Sequence, residues 1–411
     1  MPLKTECRLC KGKKLKTYLD LGFHPHSDHF LRKEELNEEE AFYPLRVQIC
    51  LNCGFHQLDY VVPPKVLYQG EYMYESSITE TGKVHYSEMA NSICQKIGLK
   101  RGSFLVDIGS NVGVLLEGFK SNGMKVLGVD PAPIVAKIAN DRGIETICSL
   151  FTEKLAAKIL TERGKAHAIT GTNVFAHIDD LDDIMKAIDL LLTDDGVFIF
   201  ESPYLINLVE NNEYDTIYHQ HLSYLSIKPL IPFFNKFGME IFDVYRSGIH
   251  GGSIRVFIGR KGKREIAHIV NELVNLEEEA KVYSLEKLNK VAEEVRKQRL
   301  ELVSILIELK KQGKKIVGIG APAKGNTMLN YCALNNGIIE YLTEKSTLKI
   351  GRFSPGLHLA IYPDQKILED KPDYGIILPW NFAEEIIKNL EAHRKNGCKF
   401  IIPIPKPKIL E

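Results

Sequence analysis

The stretch from residue 104 to residue 203 alternates strand-like and helix-like patterns, and this alternation constrains the fold more than any other feature of the sequence. Two apolar strands are predicted in FLVDIG and VLGVD, and a helix pattern follows each of them. Two further strands are predicted in AHAITGTNV and GVFIFESP, separated by the helix pattern DLDDIMKAIDLLLT. Strands that alternate with helices form βαβ units, so we predict a parallel sheet covered by helices. The run IRVFIG at 254–259 predicts one more strand of this sheet.

A second unit of the same kind begins at Lys315. The run KIVGIGAPAKGNTMLNYC predicts a strand, a glycine-rich turn and a helix, and later apolar runs continue the alternation. The segment 264–312 between the two units is highly charged with helical periodicity, which is typical of solvated amphipathic helices. We therefore predict an α/β protein in four parts: a small N-terminal domain (1–62), a central Rossmann-like domain (63–260), a helical connector (261–313) and a C-terminal second Rossmann-like domain (314–411).

The N-terminal part contains two Cys-x-x-Cys pairs, Cys7 with Cys10 and Cys50 with Cys53. Four thiolates can close a tetrahedral zinc site that leaves no open position, so we predict a structural zinc ion here. Two unrelated thiol pairs, or a redox-active pair, are the alternatives. The long gap between the pairs holds three histidines, which we expect in loops and not among the ligands: His24, His26 and His29.

The turn after the first predicted strand has the sequence Asp107-Ile-Gly109-Ser110-Asn111-Val-Gly113. It resembles the acidic-x-Gly-x-x-x-Gly motif of class I methyltransferases. The first glycine lets backbone N–H groups approach a ligand, and the last permits close packing of strand and helix.

An acid at the end of the second strand, Asp130, can accept the ribose hydroxyls of an adenosine. NAD is the competing ligand, but its fingerprint needs a glycine where Asn111 stands, so that the pyrophosphate can approach. S-adenosylmethionine has no pyrophosphate, and Asp107 suits its ammonium and sulfonium groups. We therefore predict a class I S-adenosylmethionine-binding domain with these contacts: Asp107, Gly109, Ser110, Asn111, Gly113, Asp130 and Asn173.

A dense run of histidine and tyrosine follows the strand that ends in ESP. The run, EYDTIYHQHLSY at 213–224, holds two histidines and three tyrosines, more than a core needs. Histidine suits proton abstraction near neutral pH, because its ordinary pKa is about 6.5. The run therefore predicts a catalytic segment beside the cofactor cleft.

The motifs together resemble those of the sugar C-methyltransferases that act on nucleotide-linked ketodeoxysugars, over nearly the whole chain. The resemblance rests on the four-cysteine segment with LDLGFHPHSDHF and CGFHQLD, the run YMYESS at 72–77 and the cofactor turn. It continues through YHQHLSY, HGGSIRVFIG, GIGAPAKGNT, FSPGLHLAIYP and PWNFAEEI.

This resemblance implies C-methylation of a 4-ketosugar, with C3 as the expected site, although some relatives methylate C5. A base removes the C3 proton and the enolate attacks the methyl group. The base in the family is the last histidine of a Tyr-His-Glu-His run, which is His221 here. The catalytic residues that it implies are Tyr72, Tyr74, Tyr218, His219, Gln220 and His221. The substrate-binding residues are Tyr224, Lys324 and Asn326.

One position departs from the family pattern, because Gln220 stands where the family has glutamate. Glutamine keeps hydrogen bonding but carries no charge. The departure indicates a different substrate or a different methylated carbon.

The glycine-rich turn of the C-terminal part can bind an anion through backbone N–H groups at a helix start. The resemblance implies that it anchors the nucleotide-sugar, expected to be a dTDP-sugar, with Lys324 as an added charge. A domain retained for packing alone, and a true NAD site, are the alternatives.

Charge and hydropathy limit the other partners. Lys and Arg number 53, as do Asp and Glu, and this balance disfavours nucleic acid as the main partner. There is no apolar secretory run, and no stretch approaches the roughly 20 apolar residues of a membrane span. We expect a cytoplasmic protein without a membrane partner, as a monomer or small homo-oligomer.

Three other functions compete with the sugar C-methyltransferase. The first is methyl transfer to another acceptor, such as oxygen, nitrogen or a different ketone. The second is a nicotinamide-dependent oxidoreductase that uses the C-terminal turn. The third is a zinc-bearing interaction or nucleic-acid module.

Overall fold

Three β-sheets organise the chain in the computed structural model, which describes residues 3–68, 80–395 and 397–410. Predicted site residues Tyr72 and Tyr74 lie outside the described residues. The N-terminal part contains β1 (Leu15–Pro25), β2 (Phe42–Cys50), β3 (His56–Leu58) and α1 (Pro64–Tyr68).

The central part contains the elements of the first predicted α/β unit and the catalytic run. They are α2 (Glu80–Lys96), β4 (Phe104–Ile108), α3 (Val114–Ser121), β5 (Lys125–Asp130), α4 (Pro133–Asp141), β6 (Thr146–Cys148), α5 (Glu153–Arg163), β7 (Ala166–Thr172), α6 (Leu181–Leu191), β8 (Leu192–Pro203), α7 (Leu205–Glu210), β9 (Ser223–Tyr224), α8 (Ile227–Asn235), β10 (Met239–Ser247) and β11 (Ser253–Arg260).

The connector and the C-terminal part follow. They contain α9 (His268–Glu279), α10 (Leu285–Lys311), β12 (Ile316–Ile319), α11 (Ala323–Tyr331), β13 (Leu342–Glu344), β14 (Ile361–Pro363), α12 (Gln365–Asp370), β15 (Tyr374–Ile377), α13 (Ala383–Asn389), α14 (Glu391–Lys395), β16 (Lys399–Ile402) and β17 (Lys408–Leu410).

The central sheet has the strand order β10-β11-β8-β7-β4-β5-β6. Its strands from β8 to β6 are parallel, and β11 joins them antiparallel to β8, which confirms the predicted extra strand. The chain moves outward from β4 to β5 and then returns to place β7 on the other side of β4. Ligands of open α/β sheets bind at such a reversal, outside the carboxyl ends of the strands.

The C-terminal sheet repeats this arrangement in the order β14-β13-β12-β15-β16-β17. Five strands are parallel, and β17 pairs antiparallel with β16. Its reversal lies between β12 and β15, so a second candidate binding crevice lies at their carboxyl ends. The two parallel sheets confirm the predicted α/β class.

The N-terminal sheet is antiparallel and takes its last strand from the catalytic run. Its order is β1-β2-β3-β9, and His56 pairs with Tyr224 while Gln57 pairs with Ser223. The run therefore leaves the central part, joins the N-terminal sheet for two residues, and returns at α8. The four-part division of the chain stays a prediction, since a strand of one predicted part completes the sheet of another.

The charged segment 264–312 forms a helix pair, as its periodicity predicts. The longer helix, α10, begins where the Ser284 hydroxyl accepts a hydrogen bond from the Lys287 N–H at 3.5 Å, which is the usual cap of a helix start. Its buried residue Gln298 donates to the Pro403 carbonyl oxygen at 2.6 Å. Within the described part of the chain, none of the helices combines the length and the apolar character needed to cross a bilayer.

Candidate active site

A cavity of about 610 Å³ lies where the two crevices face each other. Residues of all three sheets or their adjoining loops line it, including Asp28 from the N-terminal part, Gly109 after β4 and Gly320 after β12. Ligand pockets are usually of this size, concave and mostly apolar with a few polar groups. The cavity therefore joins the two crevices in one continuous space.

The turn after β4 is shaped by two glycines with positive φ angles. Gly109 has φ +65°, and a Cβ atom there would lie 2.2 Å from Cγ2 of Val174. Gly113 has φ +82°, and a Cβ atom would lie 2.9 Å from Cγ2 of Ile144. Gly109 lines the cavity whereas Gly113 does not, so the second glycine serves the packing of the turn against its neighbours.

Two buried carboxyl groups stand at the ends of β4 and β5. Asp107 accepts a hydrogen bond from the Thr170 hydroxyl at 2.6 Å, and burial raises its pKa to about 7. Asp130 accepts the backbone N–H groups of Asn111 and Ala132, each at 2.9 Å. Burial also raises the pKa of Asp130.

The polar atoms of this crevice match the groups of S-adenosylmethionine. The Ser110 hydroxyl and the Asn173 Oδ1 are buried without a hydrogen-bond partner in the described part of the chain. Buried polar atoms are normally paired, so these two atoms are available to a ligand. Together with the carboxylates of Asp107 and Asp130, they offer acceptors for an ammonium group and for ribose hydroxyls.

His221 lies on the cavity wall with a fixed ring orientation. Its Nδ1 is 2.7 Å from the Thr216 carbonyl oxygen. A carbonyl oxygen only accepts, so Nδ1 carries a proton, and in the neutral ring the lone pair is therefore on Nε2. The ring lies 3.9 Å from the Tyr218 ring and 5.0 Å from the His177 ring, measured between centroids.

His177 is a second histidine of this wall. Its Nε2 is buried with no hydrogen-bond partner among the residues described, and its ring stacks on Tyr68 with centroids 6.5 Å apart. Burial and the neighbouring His221 hold the pKa of His177 well below its ordinary value. The imidazole of His177 is therefore neutral at physiological pH.

The other predicted residues of the catalytic run occupy different places. Gln220 lines the cavity, whereas His219 is fully buried beside the Tyr43 ring at 5.7 Å, and burial lowers its pKa to about 4. Tyr224 lines a smaller adjoining cavity instead of the main one. The structure thus brings together Tyr218, Gln220 and His221, but not His219 or Tyr224.

At the other crevice, the positive charge of Lys324 lies near the carboxyl groups of Asp215 and Glu213. Its Nζ lies 4.0 Å over the Trp380 ring, and the Trp380 indole donates to Asp215 at 2.7 Å. Burial lowers the pKa of Lys324, opposed by the charges of Asp215 and Glu213, and burial raises the pKa of Glu213 to about 7. Lys324 therefore lines the cavity as one member of a buried charged cluster.

The turn after β12 is held by an acid in the same way as the turn after β4. Glu344, at the end of β13, accepts the Ala321 N–H at 3.1 Å, as Asp130 accepts the N–H of Asn111. Lys349 donates to the Ala321 carbonyl oxygen at 2.9 Å. Both Glu344 and Lys349 line the cavity, so the second crevice also combines a glycine-rich turn with an acid that can accept a hydroxyl.

Asn326 lies behind this turn and is not part of the cavity lining. Its amide donates to the Ser27 carbonyl oxygen at 2.7 Å, which ties the C-terminal part to the loop after β1. The prediction that His24 and His26 are loop residues is wrong for His24, which lies in β1. Both side chains are buried, because this end of β1 packs under the catalytic run.

The polar residues of the cavity wall that sequence reasoning missed include Asp28, His177, Glu344 and Lys349. Asp28 stands in the run LDLGFHPHSDHF, which the sequence analysis singled out, and His177 stands four positions after the predicted cofactor contact Asn173. Glu344 could have been found as the acid at the end of the second strand of the C-terminal unit. Lys349 stands in no motif, and no local pattern marks it.

The four N-terminal cysteines converge on one point. Their sulfur atoms all lie within 4.8 Å of one another, with Cys7 and Cys53 3.6 Å apart and Cys10 and Cys50 also 3.6 Å apart. A disulfide needs about 2.05 Å, whereas a tetrahedron of Zn–S bonds of about 2.3 Å has edges of about 3.8 Å. The four thiolates therefore fit a structural zinc ion.

The zinc site is linked to the cavity through Arg8. Its guanidinium donates to Asp179 at 3.0 Å and to the Leu58 carbonyl oxygen at 2.9 Å. Asp179 is part of the cavity wall. The zinc ion thus holds a loop whose arginine ties the N-terminal sheet to the central part.

Replacing one ligand should release the metal. We expect Cys53→Ser to lose most of its zinc on dialysis against EDTA and to unfold at a lower temperature, because three thiolates hold the ion more weakly than four. Elemental analysis and thermal unfolding measure both effects. The control is Cys148→Ser, an exposed cysteine outside the cluster. A Cys53→Ser protein with full zinc content would contradict the four-cysteine site.

Comparisons with known proteins bear on the whole chain. The C-methyltransferase NovU of Streptomyces niveus is 36% identical over 409 residues, which cover 98% of this chain and 96% of the relative. Three family models match in order: a zinc binding domain at residues 7–68, a methyltransferase domain at 85–244 and a C-methyltransferase C-terminal domain at 248–405.

Two solved structures are similar over a little less than half of the chain. An S-adenosylmethionine-dependent methyltransferase from Clostridium acetobutylicum is 16% identical with a TM-score of 0.35, over 44% of this chain and 92% of that one. Magnesium protoporphyrin IX methyltransferase from Synechocystis, solved with S-adenosylhomocysteine, is 14% identical with a TM-score of 0.36. The match covers 46% of this chain and 90% of that one.

The family models and the nearly full-length relative confirm the predicted family, the predicted enzyme class and both predicted cofactors. They agree with the geometry of the four thiolates and of the crevice after β4. The chain belongs to the C-methyltransferase family and is a methyltransferase that uses S-adenosylmethionine and carries a zinc-binding N-terminal domain.

Proposed function

We propose that this enzyme methylates a carbon atom of a nucleotide-linked 4-ketosugar, with C3 as the acceptor carbon. The observation that carries the proposal is the shared cavity, in which two nucleotide-type crevices face each other and His221 lies on the wall. One crevice suits the adenosine of the methyl donor, and the other suits the nucleotide of the acceptor. This arrangement leaves the sugar between them, beside His221.

His221 is the proposed base. With its Nδ1 proton held by the Thr216 carbonyl oxygen, Nε2 can take the proton from the carbon next to the ketone. The electron pair of that C–H bond then moves toward the carbonyl carbon and the charge gathers on the ketone oxygen as an enolate. Tyr218, packed on the His221 ring, is the proposed contact of the sugar or of this oxygen.

The methyl donor supplies a methyl group on a sulfonium, which the enolate carbon takes as the S–CH₃ bond breaks. The chain's own part is to orient it. Asp130 is proposed to bind the ribose hydroxyls and Asp107 the ammonium group, with Ser110 and Asn173 as further acceptors. The turn of Gly109 brings the backbone close to the ligand.

The C-terminal crevice is proposed to anchor the nucleotide, with a dTDP-sugar as the expected ligand. The turn at Gly320 precedes the start of α11, and the N–H groups of a helix start suit a phosphate. Glu344 is placed to accept a hydroxyl of the nucleoside, and Lys324 and Lys349 supply positive charge on the same wall.

The test is mass spectrometry of a reaction in heavy water with S-adenosylmethionine and a panel of nucleotide-linked 4-ketosugars. We expect a gain of one methyl group, release of S-adenosylhomocysteine and a fragment that places the methyl on carbon. A methyl on oxygen or nitrogen would move the enzyme to the other acceptor class. No methylation and no deuterium uptake with any member of the panel would reject the ketosugar.

Binding of S-adenosylmethionine should depend on pH through Asp107. Because burial raises the pKa of this carboxyl to about 7, the group becomes neutral as the pH falls through that value. Affinity for the cationic cofactor should then fall, by up to about tenfold per pH unit. Asp107→Asn should bind weakly at pH 8 and show little pH dependence, unlike the exposed control Asp141→Asn. Calorimetry from pH 5.5 to 8.5 checks this, and a constant wild-type affinity would refute it.

A further inference from the structure

Beyond the methyl-transfer machinery, the cavity contains a small polar cluster contributed by the N-terminal part. Asp28 lies in the loop after β1, is 4% exposed and lines the cavity. Its Oδ2 accepts a hydrogen bond from Nε2 of Gln220 at 3.0 Å. The same Gln220 nitrogen lies 3.0 Å from Nε2 of His26. Both protons of the Gln220 amide nitrogen are therefore engaged with buried acceptors.

These contacts fix which way the glutamine points. A carboxylate only accepts, so the amide nitrogen must face Asp28 and the amide oxygen must face away from it. Burial lowers the pKa of His26 to about 3, so its ring is neutral and can accept the second proton. The orientation of Gln220 is thus set by Asp28 and His26 together.

Two acceptor atoms are left over. Asp28 Oδ1 and Gln220 Oε1 are both buried and have no hydrogen-bond partner in the described ranges. Both residues are part of the cavity lining. A buried acceptor without a partner is unfavourable, so a ligand that pairs with both atoms is strongly favoured over one that does not.

The loop that carries Asp28 is held rigidly. The Asn326 amide donates to the Ser27 carbonyl oxygen at 2.7 Å, and Arg352 donates to the Phe30 carbonyl oxygen at 3.2 Å. Lys349 lies over the Phe30 ring at 4.7 Å from its centroid. The N-terminal part therefore presents Asp28 in a preorganised position, as discrimination between substrates requires.

We propose that Asp28 and Gln220 form a specificity subsite that binds a hydrogen-bond donor, a hydroxyl or an amino group, on the acceptor substrate. The inference rests on the proposed ketosugar function and adds a chemical requirement to it. The zinc-binding part of the chain thereby supplies a residue that selects the substrate. A site built to pair a donor rejects the analogue that lacks it, because its polar atoms then stay unpaired.

The experiment compares three nucleotide-linked 4-ketosugars that differ in a single group on the acceptor carbon: hydroxyl, amino or hydrogen. Wild-type kcat/KM should be at least about 100-fold lower for the hydrogen analogue. Asp28→Ala should lower kcat/KM for the hydroxyl and amino sugars to values close to that for the hydrogen analogue. Preference for hydroxyl or for amino then identifies which donor the subsite takes. The control is Glu39→Ala, an exposed acid of the same part without a contact to the cavity.

Exchanging the carboxylate and the amide between positions 28 and 220 distinguishes a loss of substrate specificity from a loss of folding. Gln220→Glu sets two carboxylates against each other. Asp28→Asn either sets two amide nitrogens against each other or, with its amide turned, points an amide nitrogen at the donor of the substrate. Each single variant should therefore lose efficiency. The double variant D28N/Q220E restores one donor facing one carboxylate and keeps two acceptors toward the cavity, since neutral His26 can change tautomer. We expect it to be more active on the donor-bearing sugar than either single variant, with zinc content and cofactor affinity unchanged.

The outcomes distinguish the inference from the function on which it rests. Equal wild-type activity on all three sugars, or a double variant no better than the singles, would overturn the subsite and leave the ketosugar function in place. If the wild type binds S-adenosylmethionine but methylates none of the three, both are overturned.

Discussion

His221→Asn should lower kcat for methyl transfer by about 10²–10⁴-fold, which is the usual contribution of a positioned general base. The asparagine side chain is near in size and can still meet the Thr216 carbonyl oxygen through its amide, but it has no atom that takes a proton. The Kd for S-adenosylmethionine should stay within about twofold, because the cofactor contacts that we propose lie on the turns after β4 and β5.

Two readouts separate loss of the base from loss of structure. Deuterium uptake at the acceptor carbon should fall together with methylation, since both need the same proton removal. The matched control is His268→Asn, an exposed histidine at the start of α9, which should keep wild-type turnover. Retention of deuterium exchange in His221→Asn would mean that another group removes the proton, and His177, whose ring is 5.0 Å away, would be the next candidate.

The sequence predicted those parts of the site that a short run of residues encodes. The strand, turn and helix around Gly109 follow from local apolar periodicity and from the need for positive φ. The cluster of Tyr218 and His221 is local as well, since His221 lies five positions after Thr216, whose carbonyl oxygen orients it. Such features can be predicted before any tertiary contact is known.

The remaining parts of the wall depend on contacts between distant segments. Asp28 meets Gln220 across 192 residues of chain, and the loop of Asp28 is held by Asn326 across 299 residues. No periodicity in one sequence specifies such docking. For the same reason, the sequence predicts Asn326 as a substrate-binding residue, whereas its amide donates to the Ser27 carbonyl oxygen behind the cavity wall.

A buried carboxylate far from the chemistry anchors the catalytic run. Glu277 of α9 is fully buried and accepts four hydrogen bonds, from the hydroxyls of Tyr204 and Tyr283 at 2.8 and 2.6 Å and from the N–H groups of Ile227 and Lys228 at 2.5 and 2.9 Å. Those two N–H groups start α8, where a helix leaves its donors unpaired and favours a negative charge.

Glu277 therefore fixes the chain on both sides of the run. Tyr204 directly precedes α7, upstream of the run, and α8 begins three residues after its last tyrosine. Between these two points lie Tyr218 and His221. The carboxylate does not touch the cavity, so its effect on catalysis passes through the position of the segment.

Glu277→Ala should reduce the free energy of unfolding by at least about 3 kcal/mol, because it strands several buried donors, each costing about 1–3 kcal/mol. The free energy of unfolding of Glu277→Gln should lie between those of Glu277→Ala and the wild type, since an amide offers only one acceptor oxygen to the same four donors. Urea unfolding of the zinc-loaded protein measures the effect. The control is Glu279→Gln, an exposed position on the same helix, which should change stability by less than about 0.5 kcal/mol. If Glu277→Ala changed the free energy of unfolding as little as this control, the Glu277 hydrogen bonds would not stabilise the protein. The position of the catalytic run would then depend on its pairing with the N-terminal sheet alone.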